Sequence, residues 1–126
     1  MPGTPTVMIV EDEALIAFSL EEAFQEEGFA VAGLFSSCAD AVSSLAGQQP
    51  NVAVVDATLR DGSCLELARQ LRDRDVPFLI YSGRNAIEER APELAGVTWI
   101  DKPAPPALVV EAAVNLLKAE TVDLEP

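Results

Sequence analysis

The sequence predicts an α/β domain in which a parallel sheet carries helices on both faces. Short apolar runs of strand type alternate with segments of helical periodicity, and the connections between them are short. The third run, residues 52–55, is continuously apolar and mostly β-branched, which is typical of a central strand covered on both faces. The chain has 126 residues and no internal repeat, so we expect one domain with one sheet.

The first half of the chain is predicted to hold two strand–helix units. An apolar run over residues 7–10 stops at an acidic triplet, and residues 14–27 follow with helical spacing until Gly28 ends the helix. A second strand is expected over residues 29–34, and a short capped helix extends to about residue 46. The stripe of the first helix consists of Ile16, Leu20, Ala23 and Phe24, and the candidate caps of the second are Ser36, Ser37 and Asp40.

The second half continues the alternation. After the strand at residues 52–55, the predicted elements are a helix at 63–73, a strand at 77–81, a short helix at 86–91, a strand at 97–100, and a last helix from Pro105 or Pro106 to about Lys118. We expect a domain over residues 1–119 and a polar C-terminal tail over residues 120–126.

Composition excludes several classes of function. The net charge of −13 argues against nucleic acid or an anionic membrane as a direct partner. The chain has no histidine, so it carries no Ser–His triad and no phosphohistidine of its own. Cys38 and Cys64 are too few for a disulfide scaffold and are interpreted as reduced thiols. We see no secretory signal and no apolar stretch of membrane length, and we expect a soluble cytoplasmic protein.

Polar residues follow four of the predicted strands. Glu11 and Asp12 come after the first strand, Asp56 after the third, Ser82 after the fourth and Lys102 after the fifth. The carboxyl ends of parallel strands meet at one edge of the sheet, where ligands of doubly wound folds bind. Three carboxylates there repel one another, and a hard divalent cation such as Mg²⁺ resolves the repulsion. With a lysine and a hydroxyl added, the set suits a carboxylate nucleophile that attacks phosphorus.

At this point the sequence resembles the receiver domain of two-component response regulators over nearly its whole length. The matching segments are Val10-Glu11-Asp12-Glu13, Val54-Val55-Asp56 with Leu59 and Gly62, Tyr81-Ser82-Gly83, and Ile100-Asp101-Lys102-Pro103. The resemblance implies a flavodoxin-like (βα)5 fold with strand order 2-1-3-4-5. It also implies a phosphoacceptor with at most slow self-dephosphorylation, not an enzyme.

The resemblance assigns a role to each matching residue. Asp56 matches the phosphoacceptor; Asp12 and Glu11 match the metal-binding acids, with Asp56 and the backbone carbonyl of Thr58 completing a site for Mg²⁺ or Mn²⁺. Ser82 matches the switch hydroxyl and Lys102 the lysine that pairs with phosphate, while the Gly83 N–H is a further anion donor. Pro103 matches a usual cis-proline, and Trp99 occupies the switch aromatic position, although packing is the simpler reading of so large a side chain.

Partners are implied in the same way. The phosphodonor is expected to be a histidine kinase or a histidine phosphotransfer protein, and Leu15 and Phe18 are candidates for docking it. The downstream target is a protein that the sequence does not identify. On the last helix Leu108, Ala112 and Leu116 form a second apolar stripe, which is either a partner face, including a homodimer contact, or part of a wide core face.

The sequence leaves two alternative functions open and disfavours two others. A pseudo-receiver that binds partners without phosphorylation is the main alternative, and a receiver fragment of a larger regulator or hybrid kinase is another. A phosphatase of the haloacid dehalogenase type requires Asp-x-Asp-x-Thr, but Thr58 stands where the second aspartate would be. An FMN binder of the flavodoxin type is disfavoured because Glu11 and Asp12 would repel its phosphate.

Overall fold

The five predicted strands form one parallel sheet in the order β2-β1-β3-β4-β5. A computed structural model describes residues 3–57, 59, 64–83 and 92–123, with side chains of the last helix to residue 119. The strands are β1 (Thr6–Val10), β2 (Ala30–Phe35), β3 (Val52–Val55), β4 (Phe78–Ser82) and β5 (Thr98–Asp101). The helices in the described ranges are α1 (Ala14–Glu26), α2 (Cys38–Ser44), α3 (Cys64–Asp73) and α4 (Pro106–Asp123), with a 3₁₀ turn at Pro92–Leu94.

The sheet separates two apolar layers, because successive side chains of a strand point to opposite faces. On β1, Met8 and Val10 pack into the layer covered by α2 and α3, which also contains both buried cysteines. Val7 and Ile9 pack into the opposite layer, covered by α1 and α4. β3 contributes to both layers and is buried along its whole length, as its continuous apolar run predicts.

Two predicted helix boundaries have the expected local chemistry. Gly28 adopts φ 96°, a left-handed conformation that glycine tolerates, and its N–H donates to the Gln25 carbonyl at 3.0 Å. At the start of α2, the Ser37 hydroxyl accepts the Asp40 N–H at 3.1 Å and satisfies one free donor of the first turn. These ends fix where β2 and α2 begin.

Several boundaries differ from the sequence prediction. β4 and β5 extend to Ser82 and Asp101, because these residues are paired in the ladder although they are polar. The last helix was expected to end near Lys118 but continues to Asp123, since no glycine or proline interrupts residues 119–123. The predicted helix at 86–91 lies outside the described residues, and the division into domain and tail stays a prediction. No helix of the described chain is both long and apolar enough to span a membrane.

Candidate functional site

The strand ends place the acidic side chains next to one another. β1 and β3 are parallel neighbours with Val10 beside Val55, so Glu11 and Asp56 leave the sheet side by side. The Asp56 N–H donates to the Val10 carbonyl at 3.0 Å, which continues the ladder by one step. Glu11 and Asp56 are buried, whereas Asp12 is more open to solvent. The sequence prediction that these acids share one edge is therefore met by the geometry.

Two donors reach the Asp56 carboxylate from β4 and β5. The Ser82 hydroxyl donates to Oδ1 at 2.7 Å, and the Lys102 ammonium donates to Oδ2 at 2.9 Å. Lys102 Nζ also lies 2.8 Å from Oε1 of Glu11, so one ammonium bridges two carboxylates. The other Glu11 oxygen accepts the Glu13 N–H at 3.0 Å. Each Asp56 oxygen thus has a donor in this arrangement.

The pKa values of Glu11 and Lys102 are both raised, but for different reasons. Burial raises the pKa of Glu11 above its ordinary value, although hydrogen bonds from Lys102 and the Glu13 N–H oppose the rise. Burial alone would lower the pKa of Lys102, but its hydrogen bonds to Asp56 and Glu11 together raise it. Lys102 therefore remains a fixed positive charge between two carboxylates, and the site holds more negative charge than this one cation balances.

The carboxylates also fit a divalent cation. Glu11, Asp12 and Asp56 each offer an oxygen within 4.8 Å of the others. All of the donors are oxygens, which Mg²⁺ and Mn²⁺ prefer, and excess negative charge favours a dication. The remaining predicted ligand, the carbonyl of Thr58, lies outside the described residues.

The other predicted site residues lie around this centre. Gly83 directly follows Ser82 and is partly exposed. The Lys102–Pro103 peptide bond is cis. Trp99 is half-buried and packs against the α2/α3 layer of the core. This packing accounts for the size of Trp99, and its role as a switch stays a prediction.

The predicted partner faces are exposed to different extents. Leu15 and Phe18 on α1 have 83% and 58% of their surface open to solvent. On α4, Leu108 is exposed, whereas Ala112 and Leu116 are half-buried and pack against the α1/α4 layer. The structure therefore does not bring the three α4 residues together as one open stripe.

Sequence reasoning missed a contribution from Tyr81, the residue before Ser82. Its hydroxyl donates to the Ala104 carbonyl at 3.0 Å and accepts the Ala104 N–H at 3.1 Å. Its ring lies 5.7 Å from Lys102 Nζ. A tyrosine directly after the apolar run Phe78-Leu79-Ile80 was the available signal, because a buried phenol requires a hydrogen-bond partner.

A doubly wound sheet with acids, a hydroxyl and a lysine at its carboxyl edge defines the class, and comparisons with known proteins give the family. The family model described as "Response regulator receiver domain" matches residues 7–115. The chain belongs to this family, the receiver domains of two-component response regulators.

Relatives and solved structures agree with this assignment. The probable transcriptional regulatory protein TcrX of Mycobacterium tuberculosis is 35% identical over 101 residues, 76% of this chain and 41% of that protein. CreB of Escherichia coli, a transcriptional regulatory protein, is 33% identical over 117 residues, 90% of this chain and 51% of that protein. The chain thus spans about half the length of these curated relatives or less.

Among solved structures, a CheY-like receiver domain protein from Methanospirillum hungatei superimposes with a TM-score of 0.84 at 22% identity, covering 96% of this chain and 99% of that one. At that identity the likeness shows the fold. A receiver protein from Sinorhizobium medicae has a TM-score of 0.82 at 26% identity and covers 92% of this chain and 96% of that one. Both superpositions extend over nearly the whole chain.

Proposed function

We propose that this domain accepts a phosphoryl group on Asp56 from a phosphohistidine of another protein and signals through an altered protein contact. The observation that carries the proposal is the environment of the Asp56 carboxylate: Ser82 on one oxygen, Lys102 on the other, and two further acids beside it. Receiver domains are phosphoacceptors, and response regulators are phosphorylated by histidine kinases.

The reaction follows from these groups. An oxygen of Asp56 attacks phosphorus while the phosphorus–nitrogen bond of the donor breaks, and the nitrogen keeps the electron pair. The products are an acyl phosphate on Asp56 and a neutral imidazole, provided that the other ring nitrogen carries a proton. The Lys102 ammonium balances the negative charge that gathers on the phosphoryl oxygens, and Ser82 and the Gly83 N–H supply donors to them.

The proposed metal ligands are Glu11, Asp12, Asp56 and the backbone carbonyl of Thr58. A bound Mg²⁺ or Mn²⁺ would stabilise negative charge on the transferred group as a Lewis acid. The described carboxylates support this assignment because their oxygens lie within 4.8 Å of one another. The Thr58 carbonyl is assigned from the family alone.

The phosphodonor is proposed to dock beside α1. Leu15, Lys102, Pro103 and Pro106 line a groove of about 480 Å³ that adjoins the site, and Phe18 exposes a further apolar side chain on the same helix. This apolar surface around the Lys102 charge fits a histidine kinase or a histidine phosphotransfer protein. Such a partner would bring its phosphohistidine to Asp56 from the solvent side.

The output is proposed to be protein contact. Leu108 is exposed on α4 and supports a contact there, with a second copy of the domain or with a target. A cytoplasmic location belongs to the same proposal, because both cysteines are buried free thiols. The proposal holds whether the domain acts alone or within a longer regulator or hybrid kinase.

A pseudo-receiver that binds partners without phosphorylation is the second candidate. It predicts that Asp56→Asn leaves function intact and that neither Mg²⁺ nor a phosphodonor alters partner binding. The close approach of Ser82 and Lys102 to Asp56 favours the phosphoacceptor, since packing alone does not require both contacts.

The test is intact mass spectrometry after incubation with Mg²⁺ and acetyl phosphate. We expect one phosphoryl adduct in the wild type and in Asp73→Asn, which removes an exposed carboxylate from α3. Asp56→Asn should show no adduct, and chelation of Mg²⁺ should abolish the adduct in the wild type.

An adduct that persists in Asp56→Asn would place the acceptor elsewhere and contradict the proposal. If the wild type takes no phosphoryl group from acetyl phosphate or from a panel of phosphorylated histidine kinases, the domain is a pseudo-receiver.

A further inference from the structure

The feature behind this inference is the hydroxyl of Tyr81. Tyr81 is the penultimate residue of β4, is 5% exposed, and points into the layer covered by α1 and α4. Its hydroxyl donates to the Ala104 carbonyl at 3.0 Å and accepts the Ala104 N–H at 3.1 Å. One side chain therefore satisfies both backbone groups of a residue 23 positions away, just beyond Lys102.

Lys102 is held from two sides as a result. Its backbone N–H donates to the Ser82 carbonyl at 2.9 Å, and the Tyr81–Ala104 pair fixes the backbone two residues later. The Tyr81 ring also lies 5.7 Å from Nζ, within the range of attraction between a cation and an aromatic face. Tyr81 thus contacts both the ammonium of Lys102 and the chain that carries it.

We propose that Tyr81 is a positioning residue that holds the Lys102 ammonium against Asp56 and Glu11. A lysine side chain has four rotatable bonds and gains rotamer entropy by moving into water. That movement is opposed by the ring beneath Nζ and by the backbone clamp, which is the pair of hydrogen bonds between the Tyr81 hydroxyl and Ala104. The consequence for phosphoryl transfer rests on the proposed function, whereas the positioning of Lys102 does not.

The hydroxyl is what distinguishes Tyr81 from an aliphatic residue at the same position. Leu79, two residues earlier on the same face of β4, shows that an aliphatic side chain can fill this core layer. An aliphatic residue at position 81 would bury comparable apolar surface but would leave both Ala104 groups without their partner. The tyrosine therefore contributes a connection between β4 and the segment after β5 that packing alone would not make.

The first measurement is the ¹H–¹⁵N spectrum of the lysine ammonium groups. The chain contains two lysines, Lys102 and the exposed Lys118, so the second is an internal reference. In the wild type we expect Lys102 to exchange its protons with water more slowly than Lys118. In Tyr81→Phe the exchange of Lys102 should accelerate, because the backbone clamp is lost although the ring remains.

Thr6→Val is the matched control. It also removes a hydroxyl that bonds to a distant backbone group, Asn51, but at the opposite end of the sheet. The Lys102 exchange rate should equal that of the wild type. If Tyr81→Phe leaves the Lys102 exchange unchanged, or if Thr6→Val changes it equally, the positioning role is refuted.

The second measurement is the rate of phosphorylation by acetyl phosphate. At saturating donor, Tyr81→Phe should lower the rate constant about tenfold with little change in KM, since small misplacements of a reacting group have effects of this order. In a Lys102→Met background, Tyr81→Phe should cause no further loss, because its effect passes through Lys102. Independent, multiplicative losses would overturn the proposal.

A variant of unchanged size covers the case in which Tyr81→Phe fails to fold. Tyr81 is the single tyrosine of the chain, so 3-fluorotyrosine incorporated throughout the protein alters this ring alone. At neutral pH it keeps the protonated hydroxyl and weakens the attraction of the ring face for the ammonium, so Lys102 exchange should again accelerate. If wild type is not phosphorylated but its Lys102 exchange responds to these changes, the proposed function fails and the positioning role stands.

Discussion

Replacing Lys102 with methionine gives the most direct test of the site's electrostatics. The change removes the charge and keeps most of the side-chain volume. Nζ lies 2.8 Å from Glu11 and 2.9 Å from Asp56, whose side chains are 2% and 4% exposed. Without the ammonium, the two buried carboxylates would lose the positive charge that now lies between them. Burial already raises the pKa of Glu11, so its charged form is disfavoured even with the ammonium present.

The magnitude follows from the burial of the three groups. Breaking a buried ion pair by removing one partner costs about 3–5 kcal/mol of stability. The Lys102 side chain is 16% exposed, so water offsets part of the loss and we expect the lower end, about 3 kcal/mol. With a urea m-value of about 1.5 kcal/mol/M, the unfolding midpoint should fall by about 2 M.

The assay is urea denaturation in EDTA and in saturating Mg²⁺, followed by far-UV circular dichroism and by the fluorescence of Trp99, the single tryptophan. A dication should stabilise Lys102→Met more than wild type, by about 1.4 kcal/mol if apparent metal affinity rises tenfold. Lys118→Met on the exposed face of α4 is the control, with a change within about 0.5 kcal/mol. Equal losses in the two variants, or equal stabilisation of wild type and Lys102→Met by Mg²⁺, would refute the reasoning.

Three further predictions concern stability and use the same denaturation assay. Leu67→Ala, at a fully buried position between the sheet and α3, should lower the free energy of unfolding by about 3 kcal/mol, and a loss below about 1 kcal/mol would contradict the core assignment. Ser82→Ala removes a donor 2.7 Å from buried Asp56 and should cost about 1.5 kcal/mol; a stabilising effect would show that the bond contributes nothing. Arg72 donates to two carbonyls in and after the 3₁₀ turn, so Arg72→Met should cost about 1 kcal/mol of stability and accelerate amide exchange in that turn. Unchanged amide exchange would show that these hydrogen bonds do not hold the turn.

The fold was predictable because its signals are local. The run at residues 52–55 is apolar on both faces, and such a strand requires helices on both sides of the sheet. Gly28 and Ser37 marked helix ends through properties of single residues, a left-handed φ and a capping hydroxyl. The last helix is longer than the sequence predicts, because the prediction places residues 120–123 in a polar tail although none of them breaks a helix.

The sequence predicts which residues form the site but not which contacts they make with one another. Strand order brings Glu11, Asp56, Ser82 and Lys102 to one edge, and their positions after strands reveal this. The sequence does not show that Lys102 bridges Glu11 and Asp56, because that depends on the distances between the ends of β1, β3 and β5. Tyr81 was missed for the same reason, since its partner is a backbone segment whose position only the folded sheet defines.

The last two residues of β4, Tyr81 and Ser82, link the two groups that contact Asp56, which are the Ser82 hydroxyl and the Lys102 ammonium. Ser82 binds the carboxylate directly and also accepts the Lys102 N–H, while Tyr81 holds the backbone after Lys102. A displacement of the end of β4 would therefore move the hydroxyl and the ammonium together. Because Asp56 is bonded to both donors, a change of charge on Asp56 acts on β4 and β5 at once. This shared connection gives a physical reason for modification of one carboxylate to alter the surface formed by these strands and the helix that follows them.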